Sequence, residues 1–96
     1  NEDAKKLAGK KVLAFCGLAY PQKFFATLDS LGAEIVEKNT FPDHYQYTDA
    51  EIDALALKAK ELEAVLVTTS KDAARMNSRS LSLVTVVYVT LDFEKP

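Results

Sequence analysis

His44 is the only histidine in the 96 residues, and it stands beside Asp43 in the stretch Thr40-Phe41-Pro42-Asp43-His44-Tyr45-Gln46-Tyr47-Thr48. An unperturbed imidazole changes charge near about pH 6.5, so His44 can carry a proton, donate a hydrogen bond or stack on a flat ligand. The plainer alternative is a solvent-facing loop histidine, with Asp43 making an Asx turn. Lys71 is the second candidate. Its expected place is the first turn of a helix, where the macrodipole disfavours a cation by about 0.3–1 kcal/mol. A lysine there suits a contact to a bound anion; the alternative is an exposed Lys71 paired locally with Asp72, whose own charge is favoured at that position. Arg75, one turn on, either joins Lys71 or is solvated. Gly17 either brings backbone close to a ligand or permits a tight turn, and with no Gly-rich pattern after it the turn is preferred.

Other chemistries find no footing. No Gly-x-x-x-x-Gly-Lys-Ser/Thr sequence occurs, so the chain has no phosphate-cradling loop of its own. A metal site is disfavoured, because no second histidine exists and Cys16 falls inside an expected strand. His44 has no nucleophile at readable spacing. A formal net charge of −2 gives no basic footprint for nucleic acid. The single cysteine excludes an internal disulfide and fits a reducing compartment. No apolar run approaches the roughly 20 residues of a membrane span. The opening Asn1-Glu2-Asp3-Ala4-Lys5-Lys6 does not read as a signal peptide. Lys10, Lys11 and Lys23 are too few to recruit the chain to a membrane surface.

These residues must be positioned by a scaffold. An apolar share of 48% with 27% charged residues is ordinary globular composition, and the length suits one domain, residues 1–96. The missing initiator methionine leads to the expectation of a piece from a longer protein. Asp3 to Gly9 reads as a helical lead-in closed by Gly9. The continuous apolar run Lys11–Cys16 reads as a strand covered on both faces, and Pro21 suits the first residue of the helix that follows. Phe24, Leu28 and Leu31 form that helix's stripe over 22–31, with Gly32 closing it. Ala33–Lys38 is a more polar strand near a sheet edge. Thr48 and Glu51 form a capping-box pattern, with Tyr47 and Ile52 as a hydrophobic staple, and Ile52, Leu55, Ala59 and Leu62 give the buried stripe. Val65–Thr69 is a central strand, Ser70 caps a short helix through Met76, Asn77–Ser82 is polar loop, and Val84–Val89 is a fourth strand. Leu91–Glu94 extends it or starts a hairpin.

This βαβαβαβ alternation predicts a three-layer, open, mostly parallel four-stranded sheet, Rossmann-like, with strand order near 2-1-3-4. In such a sheet ligands bind beyond the carboxyl ends of the strands. The loops at Gly17–Pro21, Asp43-His44 and Thr69–Asp72 all leave from that edge. Phe24, Phe25, Tyr45 and Tyr47 could present an aromatic surface there, although Phe24 fits a core position and Tyr47 the staple.

Four blocks in fixed order resemble a known family: Gly17-Leu18-Ala19-Tyr20-Pro21-Gln22-Lys23-Phe24-Phe25; Leu31-Gly32-Ala33-Glu34; Phe41-Pro42-Asp43-His44-Tyr45 with Tyr47-Thr48; and Thr68-Thr69-Ser70-Lys71-Asp72-Ala73-Ala74-Arg75. Together, from about Gly9 to Leu91, they resemble the C-terminal part of tetraacyldisaccharide 4′-kinase, the lipid A kinase of Gram-negative bacteria. The resemblance implies an enzyme of two domains that moves the γ-phosphoryl of ATP, with Mg²⁺, onto the 4′-hydroxyl of a tetraacyldisaccharide 1-phosphate. The product is lipid IVA, made at the cytoplasmic face of the inner membrane. The phosphate loop and catalytic carboxylates then belong to an N-terminal partner domain, so this piece alone is expected to be inactive and monomeric, and to hold no cofactor tightly. The resemblance places Asp43 and His44 against nucleotide or at an inter-domain edge, with Thr69, Lys71 and Asp72 as a second such motif. Ser70 replaces the family's usual Glu, and Leu18-Ala19 is a milder departure. The alternative is a non-catalytic α/β module that binds a nucleotide or sugar phosphate, or docks a partner protein.

Overall fold

The computed structural model describes residues 7–88. Lys11–Cys16 forms β1, Pro21–Ser30 α1, Glu34–Thr40 β2, Asp49–Glu61 α2 and Val65–Thr69 β3. Two single-turn helices, Ser70–Ala73 (α3) and Ser78–Leu81 (α4), precede β4, Thr85–Val87. Every strand pairing is parallel and the order is β2-β1-β3-β4, the expected three-layer arrangement.

The alternation of β1 explains its unbroken apolarity. Val12, Ala14 and Cys16 pack with Phe24 and Leu28 of α1 on one face. Leu13 and Phe15 pack with Ile52, Leu55 and Ala59 of α2 on the other. All five of these strand residues are fully buried, as a central parallel strand requires. β2 lies at the edge and is half exposed. Its register shifts between Val12 and Leu13, which face Ile35 and Glu37, so Val36 is the extra residue of a bulge.

Local signals set the helix ends. Gly32, at φ +86°, closes α1: its amide donates to Asp29 O (3.0 Å) and that of Ala33 to Leu28 O (3.2 Å), a Schellman pattern. Thr48 opens α2 with the full capping box, Glu51 N donating to Thr48 Oγ1 (3.1 Å) and Thr48 N to Glu51 Oε1 (2.9 Å).

Three expectations need correcting. Thr69, not Ser70, caps α3, because its hydroxyl accepts from Asp72 N at 3.1 Å. α3 stops at Ala73, and the chain reaches Met76 through turns closed by Arg75 N→Asp72 O and Met76 N→Ala73 O. Part of the stretch read as polar loop is α4, started by Asn77, whose Oδ1 accepts from Ser80 N at 2.8 Å while its Nδ2 donates to Asp49 Oδ1 of α2. The expected lead-in before Leu7, Val89 and the Leu91–Glu94 extension lie outside the described residues. No helix among the described residues is long and apolar enough to cross a membrane.

Candidate functional site at the carboxyl edge of the sheet

The chain leaves β1 at Gly17, β2 at Phe41 and β3 at Ser70, and the three exits enclose a cavity of about 300 Å³. The first loop supplies Gly17, Leu18, Ala19 and Tyr20, with Lys23 from the first turn of α1; the second supplies Asp43 and His44; the third supplies Lys71 and Arg75. Among the described residues, three permanent cations and one imidazole thus face a single carboxylate, a setting that attracts anions.

The His44 loop is pinned to the end of β1 by backbone. Phe41 N donates to Cys16 O (2.8 Å), His44 N to Gly17 O (3.2 Å) and Tyr45 N to Pro42 O (3.0 Å). His44 adopts φ +64°, a left-handed conformation that costs a non-glycine residue about 1–2 kcal/mol. Its side chain is 78% exposed, with Nδ1 3.4 Å from Asp43 Oδ1. Beneath the loop the aromatics interlock. Phe41 stacks on Tyr45 at 4.9 Å, and Tyr47 meets Phe41, Tyr45 and Phe15 edge-on at 5.2, 5.2 and 5.3 Å. Phe24 and Phe25 lie on the α1 side of the sheet instead, so the four aromatics named from the sequence form no common surface. The aromatic at the cavity is Tyr20, 65% exposed.

Asp72 lies behind the cavity, with no exposed surface. Its Oδ1 accepts from Gly17 N (2.9 Å), Tyr47 Oη (2.9 Å) and Arg75 Nη2 (3.0 Å), and its Oδ2 from Thr69 Oγ1 (2.5 Å). Lys71 does not pair with it. Arg75 does, and also donates from Nε to Tyr45 O (3.3 Å) and from Nη1 to Lys71 O (3.2 Å). Burial, then the charge of Asp72, raises the Tyr47 phenol well above its ordinary range, so it stays a donor. Burial, followed by the same charge, pushes the Cys16 thiol up to about 12, which makes it an inert core group. The hydrogen bond between Tyr45 and Glu51 raises the phenol and lowers the carboxyl.

Gly17 is required by proximity. A Cβ there would lie 2.8 Å from Pro42 O and 3.2 Å from Tyr45 Cβ. Gly17→Ala is expected to cost about 1–3 kcal/mol, as overpacking does, because the first atom it meets is backbone. Chemical denaturation of the 96-residue chain measures this, and an unchanged midpoint would mean that the two loops part freely.

Of the residues singled out from the sequence, Asp43, His44 and Lys71 therefore meet at one cavity, while Asp72 organises it from behind. Among the described residues, no group of three or more His, Cys, Asp or Glu side chains is placed to hold a metal.

A model of the tetraacyldisaccharide-1-P 4′-kinase family matches residues 1–96. The chain belongs to this kinase family. It is 47% identical over 94 residues to the tetraacyldisaccharide 4′-kinase of Rhodospirillum rubrum, covering 98% of this chain and 28% of that protein. Over 92 residues it is 48% identical to the enzyme of the same name from Methylorubrum extorquens strain PA1, covering 96% and 28%. The chain thus spans a little over a quarter of the length of these relatives. No solved structure matches it.

Set against the 4′-kinase pattern, Ser70 stands at the first residue of α3 and outside the cavity lining. The sequence reading passed over Tyr20 and Lys23 as cavity residues and Asp72 as an anchor. A signal for Asp72 existed: Thr69-x-x-Asp72 repeats the spacing of Thr48-x-x-Glu51, and each carboxylate also receives a tyrosine hydroxyl.

Proposed function

We propose that this chain is the C-terminal domain of a two-domain tetraacyldisaccharide 4′-kinase, and that its cavity closes over the phosphates of ATP bound by the rest of the enzyme. The observation that carries the reading is the meeting of Lys23, Lys71 and Arg75 with His44 at one cavity on the carboxyl edge of a parallel sheet. ATP supplies the phosphoryl group that passes to the 4′-hydroxyl of the lipid disaccharide, and the lysines and Arg75 neutralise its charge. Phosphoryl transfer depends mainly on positioning and charge stabilisation, so a domain that completes the site on closure contributes without forming or breaking a bond. Asp43 sits on the Nδ1 side of His44, which leaves Nε2 for the nucleotide.

The lining fits a polyphosphate and does not fit Mg²⁺, which takes several oxygen ligands, because among the described residues Asp43 is the one carboxylate at the cavity. We assign the metal to the N-terminal domain, together with the phosphate loop that these 96 residues lack. We propose further that the whole enzyme works at the cytoplasmic face of the inner membrane, where ATP and the lipid acceptor would meet.

His44→Asn tests the role of the ring. Asn tolerates the left-handed backbone where Ala does not, so folding is preserved. In the full-length kinase the KM for ATP should rise about tenfold, with kcat/KM falling in step, a loss of about 1.4 kcal/mol of binding. Unchanged kinetics would leave His44 a loop residue. The 96-residue chain alone should bind ATP weakly, with a Kd on the order of 1 mM. A micromolar complex by calorimetric titration would favour instead a self-sufficient nucleotide-binding module.

A further inference from the structure

Asp72 is a charged group with no exposed surface, and its donors come from all three loops around the cavity: Gly17 after β1, Tyr47 before α2, and Thr69 and Arg75 around α3. Burying a carboxylate is costly, and an apolar residue of similar size commonly serves stability as well. What an apolar residue cannot do is fix three backbone segments at defined distances. Gly17 makes the coupling tight, since its amide donates to Asp72 while its carbonyl accepts from His44 N. Arg75 adds a second link, holding Asp72 with Nη2 and the carbonyl of Tyr45 with Nε. With Nη1 on Lys71 O, three of the five guanidinium N–H groups are engaged and two are left for the cavity.

We propose that Asp72 is a positioning residue that sets the placement of the three cavity loops, and that Arg75 relays this setting to the His44 loop. Its consequence for ATP rests on the function proposed above. A purely stabilising carboxylate would act on the whole fold. A positioning carboxylate acts first on the residues it joins.

Asp72→Asn separates these. The amide keeps the volume and one acceptor oxygen but loses the charge that holds Arg75 and the second acceptor for Thr69. By hydrogen exchange on the 96-residue chain, the amides of Gly17 and His44 should exchange roughly tenfold faster, with those of Leu13 and Val67 accelerated by a clearly smaller factor. Arg75→Lys keeps the charge without the fork and should speed the His44 amide while leaving Gly17 protected. In the full-length kinase, Asp72→Asn should raise the KM for ATP about tenfold and leave that for the lipid acceptor unaltered. Gly17 and His44 amides that exchange as in the parent overturn the proposal, as does equal acceleration at Leu13 and Val67. Faster exchange at Gly17 and His44 with an unmoved KM for ATP supports the positioning role and counts against the nucleotide reading instead. Should Asp72→Asn fail to fold, Tyr47→Phe removes one hydroxyl from the same carboxylate. It should speed the Gly17 and His44 amides by a smaller factor, and no change there overturns the proposal equally.

Discussion

Asp72→Ala should destabilise the 96-residue chain by about 3–5 kcal/mol, the usual consequence of removing one partner from a buried charged network. The substitution leaves the Gly17 amide, the Tyr47 hydroxyl and the Arg75 guanidinium each short of an acceptor, all beside a carboxylate site with no exposure. Each unmet donor carries its own desolvation cost, so the loss exceeds what a single hydrogen bond would give. Domains of this kind are stable by only about 5–15 kcal/mol. Asp53→Ala is the natural control, because Asp53 pairs with Arg79 on the surface, both partners about half exposed, where such pairs contribute little. Urea denaturation of both variants decides the matter. If Asp72→Ala cost no more than Asp53→Ala, water or local rearrangement would be satisfying the donors, and the network would not be the anchor described.

Phe15→Ala should cost a similar amount, about 3–5 kcal/mol, by a different route. Phe15 is fully buried near the end of β1, and its ring meets Phe41 and Tyr47 edge-on at 6.4 and 5.3 Å. Its removal opens a cavity directly beneath the His44 loop. The loss should lower the thermal midpoint by on the order of 20 °C for a domain of this size. It should also loosen Tyr47, and through Tyr47 the contact to Asp72. Phe15→Leu refills most of the volume and should recover much of the stability. A midpoint for Phe15→Ala within a few degrees of the parent would show that the aromatic cluster collapses to fill the space.

Both effects converge on one design. The loop that carries His44 makes few contacts through its own exposed side chains. It is held by backbone bonds to β1, by aromatic packing from below and by Arg75 from the side. That support explains how His44 can keep a left-handed backbone conformation, since such strain persists where the surroundings over-determine it.

Much of the scaffold was legible in the residues. The unbroken apolar run of β1, the Thr48–Glu51 box and the Gly32 stop are local signals, and each acts within a few residues of where it is written. The parallel sheet followed from alternation, and its order from right-handed crossovers with one reversal. Signals that depart from the common residue were harder to read. α2 ends with Glu63 at φ +56°, where the amide of Ala64 donates to Ala59 O, a closure usually made by Gly. α4 hid in a polar run because its stability comes from the Asn77 cap and the tie to Asp49 of α2 rather than from an apolar stripe.

For the site, the sequence by itself determined which chemistry was available: one imidazole, a lysine and an arginine one turn apart, and exits from three strands on one edge. It did not determine how they are joined. The bond from Gly17 to Asp72 spans 55 residues and that from Tyr47 spans 25. A carboxylate's charge is written at its own position, but its burial and its donors exist only once strands distant in the chain lie side by side. Tertiary structure alone turned Asp72 from a second ligand candidate into the post on which the cavity hangs.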